Sequence, residues 1–408
     1  MLLGSYYDGV EVYREEKIVY ARFLAPHRVI STCQVAGGVR DDLDYLYNHQ
    51  SSEPAGHHPA SHSIAVRDPI AYREQVCRRH GLPPDLCATL GTAANMRYAI
   101  AKEAHFRDLT VVAVCTGGVE GNAGRAGDPA SVYEYNGTYE RISGEEPVLH
   151  GTINTMVFIN RELTLGALVR TVMTATEAKT AVLQELAVNS RYSNRLATGT
   201  GTDQIGVASR LATGIPLRSA GKHSVLGELI GKVVHDAIHE TLGLQNALTP
   251  EGQRSSIRHI ERFGASRDGV IESVAARLDK RKAALLAGNF TGIERDPLVV
   301  AAVAALVHVR DKVAWGILPR SCVPELWATY GAQVAAAVSG DYASLPAYRD
   351  RLAERHYGVD DQDFLRLVEH AVAMGFQDKW PDERTGGQPP ILITAADHEA
   401  ASKKKDVS

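Results

Sequence analysis

Through the first 250 residues apolar positions come in short alternating or unbroken runs interleaved with stretches at helical spacing, and after that at helical spacing throughout. Val10–Tyr13 and Ile18–Phe23, separated by Arg14-Glu15-Glu16-Lys17, predict an opening hairpin. Val29–Val35 predicts a third strand, stopped by Gly37-Gly38. From Asn48 to His62 the chain is polar and histidine-rich, which reads as a loop, and Ser63–Arg67 as a short strand. Asp68-Pro69 has the character of a helix start, and that helix is expected to end near His80-Gly81. Leu109–Thr116 is an unbroken apolar run and predicts a buried strand. It leads into residues 117–127, where five of eleven positions are glycine. Val132–Tyr135 and Tyr139–Ile142 flank Asn136-Gly137, a strong hairpin signal.

Further on, Met156–Ile159 predicts a strand, and Leu163 to about Val188 a helix with a broad small-and-apolar face. Ile205–Ala208 and Gly214–Arg218 read as strand pieces, and Gly221–Leu242 as a second long helix. Hairpins beside a crossover favour an α+β domain over residues 1–248, with mixed or antiparallel sheet layers packed with helices. Residues 249–380 read as an all-α region. Its helices are expected over roughly 254–287, 296–315, 322–338, 344–355 and 360–375, with breaks at Gly288-Asn289, Pro297, Pro319 and Pro346. That region is expected to stack on the first domain or to mediate a homo-oligomer. Residues 381–408 form a polar tail.

Composition narrows the function classes. The net charge is −4 and basic residues cluster only at Lys403–Lys405, so no nucleic-acid partner is expected. No run reaches the roughly 20 apolar residues of a membrane span. The first residues lack the basic and apolar regions of a secretion signal. The five cysteines are scattered without a Cys-x-x-Cys pair and read as reduced thiols of a cytoplasmic protein. His57, His58 and His62 read as a solvated loop. His235 and His239 are four apart, a spacing that suits a metal, but they read as an exposed polar face. No metal and no cofactor are therefore expected.

The chemistry concentrates between His150 and Asp203. Gly151-Thr152-Ile153-Asn154 enters the Met156–Ile159 strand; the following helix carries Glu177, Lys179 and Thr180; Thr198–Asp203 is a Gly/Thr turn closed by a carboxylate. A strand, a crossover helix and a turn of this kind deliver polar groups to one edge of a sheet. Positions two apart do not share a helix face, so Glu177 and Lys179 are not both expected at the site. Taken alone, either one is ordinarily a solvated helix residue. The glycine-rich loop after the Leu109–Thr116 strand offers backbone amides, without a nucleotide-binding fingerprint.

In order and spacing, Gly151–Asn154, Glu177-Ala178-Lys179-Thr180 and Ala197-Thr198-Gly199-Thr200-Gly201-Thr202-Asp203 resemble the adenosylcobinamide amidohydrolase (CbiZ) family. Gly37-Gly38 with Asn48, Gly91–Ala94, Thr116 through Asn122-Ala123 to Gly127, and Leu226–Gly231 extend the resemblance over about residues 25–245. The chain departs from the family pattern at Ala36, where the family usually has Asn, and at Thr116-Gly117-Gly118, where it usually has Thr-Ala-Gly.

The resemblance implies hydrolysis of the aminopropanol amide of adenosylcobinamide to adenosylcobyric acid and 1-amino-2-propanol, as corrinoid salvage and cobamide remodelling require. The corrinoid is then substrate, with no separate cofactor. Asp203 and Glu177 are the expected bases, Lys179 or His150 the proton donor, and Thr200 and Thr202 the hydroxyls of the turn. Gly37, Gly38, Thr92, Thr116, Asn122, His150, Thr152, Asn154 and Thr198 are the expected substrate binders. A threonine nucleophile needs an adjacent base, so a carboxylate-activated water is the preferred expectation. Two other readings stand beside this one: a non-catalytic corrinoid-binding or sensing protein, and a Thr-dependent amidohydrolase or acyltransferase acting elsewhere.

Overall fold

A computed structural model describes residues 1–51, 68–142 and 151–380. The chain divides into two compact units, Met1–Gly264 and Ala265–Ser408. The first is α+β and the second, over its described residues, is helical.

Two large sheets, with two further two-stranded ladders among the described residues, form the first unit. The smaller runs β1 (Leu2–Tyr6), β2 (Val10–Glu15), β3 (Ile18–Phe23), β6 (Tyr45–Gln50) and β7 (Cys87–Thr92), in that order. The larger has the order β5 (Gly38–Arg40), β4 (His27–Ser31), β15 (Gln204–Arg210), β13 (Asn154–Ile159), β9 (Leu109–Thr116), β8 (Ile100–Phe106). Most pairings are antiparallel, but β13 and β15 run parallel, Asn154 opposite Gln204 through Ile159 opposite Ser209. The crossover between them is α2 (Leu165–Glu185), capped by the Thr164 side chain.

Period-2 alternation sorts these strands into layers. Val112, Val114, Met156, Phe158 and Ala208 point at the small sheet, where they meet Val12, Ala21, Leu46 and Leu90. Val111, Ala113, Val157, Ile159 and Val207 point the other way, onto α2 and α3 (Val225–Asn246). On its outer side the small sheet is covered by α1 (Pro69–His80), through Ile18, Tyr47, Tyr72, Val76 and Cys77. Each buried Val, Leu, Ile, Phe or Met among these contributes about 1.5–3 kcal/mol. Helix α1 starts and stops where its residues say: Asp68 accepts from the Ala71 amide, Pro69 opens the first turn, and Gly81 closes it in the left-handed conformation (φ 66°).

Several expected elements differ in detail. The polar loop expected from Asn48 is still strand to Gln50, because Asn48 and His49 lie between sheet and sheet or sheet and helix, with both faces covered. The third strand ends at Ser31, and Gly38 opens β5 opposite it. Residues 214–218 contribute only a bridge between Leu163 and Leu217. Strands β1, β6, β7 and β8 were not expected at all. The 63–67 strand lies outside the described residues.

The first unit ends with two short helices, α4 (Pro250–Gln253) and α5 (Ser256–Ile260). In the second unit are α6 (Arg267–Ala275), α7 (Lys280–Glu294), α8 (Pro297–Ala314), α9 (Val323–Ser339), α10 (Leu345–Ala353) and α11 (Asp361–Lys379). Gly288-Asn289 is no break. Helix α7 runs through it and ends at Glu294, and Asp296 caps α8 with Pro297 in its first turn. The single helix expected over 254–287 is instead α5, α6 and the start of α7. Within this unit, α9 packs on α8, α10 and α11 around Trp327 and Phe364.

Candidate active site

Strands β4, β6, β7 and β9 end, and β13 and β15 begin, at one edge of the two-sheet sandwich. The turn before β15 folds back there. Its short strand β14 (Gly199–Thr200) pairs with β10 (Ala123–Gly124), Ala123 opposite Thr200. That ladder ties the glycine-rich loop to the Gly/Thr turn.

Asp203 is the hub. Its Oδ1 accepts from the Ile153 amide at 2.9 Å and from Thr200 Oγ1 at 2.6 Å. Its Oδ2 accepts from the Thr200 amide at 3.0 Å and from Lys179 Nζ. The Lys179 and Asp203 side chains are each 14% exposed. Four donors occupy a carboxylate's roughly four lone-pair sites, so this carboxylate is locked in place. A Cβ on Gly199 would fall 2.5 Å from Asp203 Oδ2 and 2.8 Å from Lys179 Nζ, so the close approach of turn and ion pair needs glycine there.

A second group of hydroxyls and amides adjoins it. Thr152 Oγ1 and Thr202 Oγ1 are 2.6 Å apart, and Asn122 Nδ2 donates to Thr202 Oγ1 and to the Gly151 carbonyl, both at 3.2 Å. Gly151, at φ 134°, lies against the Gly118 carbonyl, where a Cβ would come within 2.8 Å. Thr198 Oγ1 accepts from the Ala126 amide, and the Thr198 carbonyl accepts from Thr180. Asp128 orders the far side of the loop. Burial opposes its ionisation, but bonds from the Ser190 hydroxyl and the Arg125 amide outweigh it and hold the carboxyl below its usual range.

A third, inner group faces the sandwich interior. Asn154 Nδ2 donates to Asn48 Oδ1 (2.8 Å) and to the Gly91 carbonyl (2.9 Å), and Asn48 Nδ2 donates to Thr116 Oγ1 (2.8 Å). Gln204 Oε1 accepts from the Gly91 amide, and Thr92 Oγ1 from the Ala94 amide. Asn48, Thr92, Thr116 and Asn154 are buried, and this network joins the two sheets at the edge beneath the turn.

The structure thus brings Lys179, Asp203 and Thr200 together, and beside them Thr202, Thr152, Asn122 and Thr198. Asn154, Thr116 and Thr92 lie in the inner network. Gly37 and Gly38 are exposed at the outer edge strand, and a Cβ on Gly37 would collide with the Cys33 carbonyl. Glu177 is not in the cluster; it projects from α2 to pair with Lys222. His150 lies outside the described residues, as do His57, His58 and His62.

Two members were not anticipated. Tyr192 donates through its hydroxyl to Asn122 Oδ1 at 2.8 Å, fixing the amide's orientation, and Gln204 clamps β7. Tyr192 sits in the polar run Arg191–Asn194, where nothing in one sequence distinguishes it from a loop residue.

The five cysteines are free thiols. Burial pushes Cys115 up to about 12, which makes it a neutral core group. Among the described residues no group of three or more His, Cys, Asp or Glu is placed to hold a metal ion. His235 and His239 stack on α3, with His235 bonded to Glu185 and Asp236. Among the described residues no helix is long and apolar enough to cross a membrane.

The model of the adenosylcobinamide amidohydrolase (CbiZ) family matches residues 3–250. The chain belongs to this family. Protein MJ1613 of Methanocaldococcus jannaschii, itself uncharacterized, is 34% identical over 249 residues, which span 59% of this chain and 91% of that protein. The PH0078 protein from Pyrococcus horikoshii, whose crystal structure is solved, aligns with 57% of this chain and 84% of its own, at 12% identity and a TM-score of 0.29, too distant to carry an argument. The CbiZ match contains every residue of the three groups just described. Helices α6–α11 lie beyond it.

Proposed function

We propose that this chain hydrolyses the amide joining aminopropanol to the corrin propionate of adenosylcobinamide, releasing adenosylcobyric acid and 1-amino-2-propanol for corrinoid salvage. The observation that carries this reading, beside family membership, is the Lys179–Asp203–Thr200 cluster at the sandwich edge. Asp203 has no vacant lone pair for a water, but one of its four partners is the Thr200 hydroxyl. The group already positioned to lose a proton to this carboxylate is therefore Thr200 Oγ1, the adjacent-base arrangement a threonine nucleophile needs.

In this reading Thr200 Oγ1 attacks the amide carbonyl and its proton passes to Asp203. The C–N bond breaks with a proton delivered to the leaving nitrogen from Lys179, and an ester to Thr200 remains. One water then cleaves that ester and restores the Thr200 hydroxyl, and the proton held by Asp203 returns to Lys179, its hydrogen-bond partner, so the sum is amide plus water to acid plus amine. The exposed Thr202 hydroxyl, held by Asn122 and Thr152 behind it, meets the polar edge of the substrate. The corrinoid enters as substrate and no further cofactor takes part.

The test is turnover of adenosylcobinamide followed by mass spectrometry of the products. Thr200→Ser is expected to retain measurable release of aminopropanol, and Thr200→Ala to lose about 10²-fold or more. Full activity in Thr200→Ala would return the attack to water. Binding of the corrinoid without release by the wild type would make the protein a sensor, and self-cleavage before a threonine would favour a different Thr-dependent chemistry.

A further inference from the structure

The site described above is built from glycine, threonine and asparagine. Around the Lys179–Asp203 pair these side chains and backbone amides offer hydrogen bonds. One neighbouring element has the opposite character. Among the described residues the hairpin β11 (Val132–Tyr135) and β12 (Thr138–Arg141) pairs only with itself, turning at Asn136 and Gly137 with φ 48° and 75°. All eight strand residues are exposed. They include Val132, Tyr133, Tyr135 and Tyr139, 46–70% exposed, with Ile142 just beyond. A lone two-stranded hairpin is marginally stable in water, and an apolar, aromatic one is unusual on a surface without a ligand.

Its root says what it serves. The chain reaches β11 directly from Ala123–Asp128, the loop paired with β14 and bonded to Thr198 and Ser190. The described chain resumes after the hairpin at Gly151 and Thr152, in the hydroxyl group beside Asp203. The arm thus grows out of a site segment on its N-terminal side, and the described chain re-enters the site at Gly151. The register puts Tyr133 and Tyr135 on one face with Thr138 and Glu140, and Val132 and Tyr139 on the other. The Tyr133 and Tyr135 rings lie 6.1 Å apart at 17°, a near-parallel pair on one side of the ribbon. Four strand residues span about 13 Å, room for a large planar molecule.

We propose that this hairpin is a substrate-binding arm, and that Tyr133 and Tyr135 supply the apolar platform against which the macrocycle of a corrinoid rests while its amide side chain reaches Thr200. The occupant is identified through the proposed reaction and rests on that reading. The arm sets affinity and preference for large planar substrates, and takes no part in bond cleavage.

The experiment uses the full chain and the double variant Tyr133→Ser/Tyr135→Ser, whose exposed positions leave the core untouched. Equilibrium dialysis gives the Kd for adenosylcobinamide, steady-state turnover gives kcat and KM, and sedimentation gives the subunit number. Expected are a Kd and KM raised about tenfold or more, kcat within twofold, and unchanged turnover of N-(2-hydroxypropyl)propionamide, the same amide without the macrocycle. Unchanged Kd and KM overturn the arm. So does a wild type that binds no corrinoid, or a wild-type dimer that becomes monomeric in the variant while Kd stays the same, which would assign the hairpin to a second copy of the chain. A wild type that binds but does not turn over sinks the hydrolase reading alone, and the dialysis still decides the arm.

Discussion

Helix α2 carries two lysine–carboxylate pairs whose helical members are two residues apart, and they have different surroundings. Lys179 meets Asp203 with both side chains 14% exposed, and three further bonds converge on the carboxylate. Glu177 meets Lys222 with side chains 48% and 66% exposed. Two residues is about 200° around a helix, so the first pair points at the Gly/Thr turn and the second at the Ala220–Lys222 segment. The charges are alike. What differs is solvent and the number of partners, and these decide whether an ion pair organises a site or decorates a surface.

The largest effect should come from the inner pair. Asp203→Asn and Lys179→Met are each expected to lower kcat on adenosylcobinamide by about 10²–10³-fold. Asp203→Asn also turns one acceptor oxygen into a donor facing the Thr200 amide or the Ile153 amide, so a lowered urea midpoint should accompany the loss. Wild-type turnover in either variant would erase the contrast between the pairs.

The same distinction sharpens in the histidines. Burial holds His49 well below the usual imidazole range, at about 3, with His80, Arg79 and Lys17 acting in the same direction. His49 stays neutral in the fold while the unfolded chain takes up its proton near pH 6.5. Its contribution is complete above that pH and is lost as pH falls toward 3, at a slope approaching 1.4 kcal/mol per pH unit. Urea titrations between pH 7 and 4 should show this limb, and His49→Gln should flatten it. His235, bonded to exposed Glu185 and Asp236, is shifted the other way; burial opposes the shift but the two bonds prevail.

The smallest effect is expected from the outer pair. Glu177→Gln should leave kcat within about twofold and stability within about 0.5 kcal/mol. A hundredfold loss of activity would instead put Glu177 among the groups that meet the substrate, and the geometry of α2 in the free protein would not be its working geometry.

Much of this was legible beforehand because it is local. The limits of α1 follow from Asp68-Pro69 and Gly81, the β11–β12 turn from Asn136-Gly137, and the parallel β13–α2–β15 crossover from two apolar runs around a helical period. Strands β6 and β7 were harder. Buried on both faces, they mix Tyr, Asn, His and Gly with apolar residues and show no clean alternation, so a buried polar layer read as loop. Glu177 and Lys179 were equal in sequence, since the phase of a helix against its sheet depends on which side chains pack inside.

By itself, then, the sequence determined the class of each unit, the family, and the turn whose glycines and threonines crowd round Asp203. Local backbone preference and hydrophobic period act over a few residues, and one sequence displays them. Only the tertiary structure decided that Lys179 and not Glu177 meets Asp203, that all four acceptor directions of that carboxylate are taken, and that Tyr192 sets the Asn122 amide. Those outcomes depend on contacts across 24, 50 and 70 residues of chain, and it is packing of the sheets and helices that brings such distant groups within a hydrogen bond.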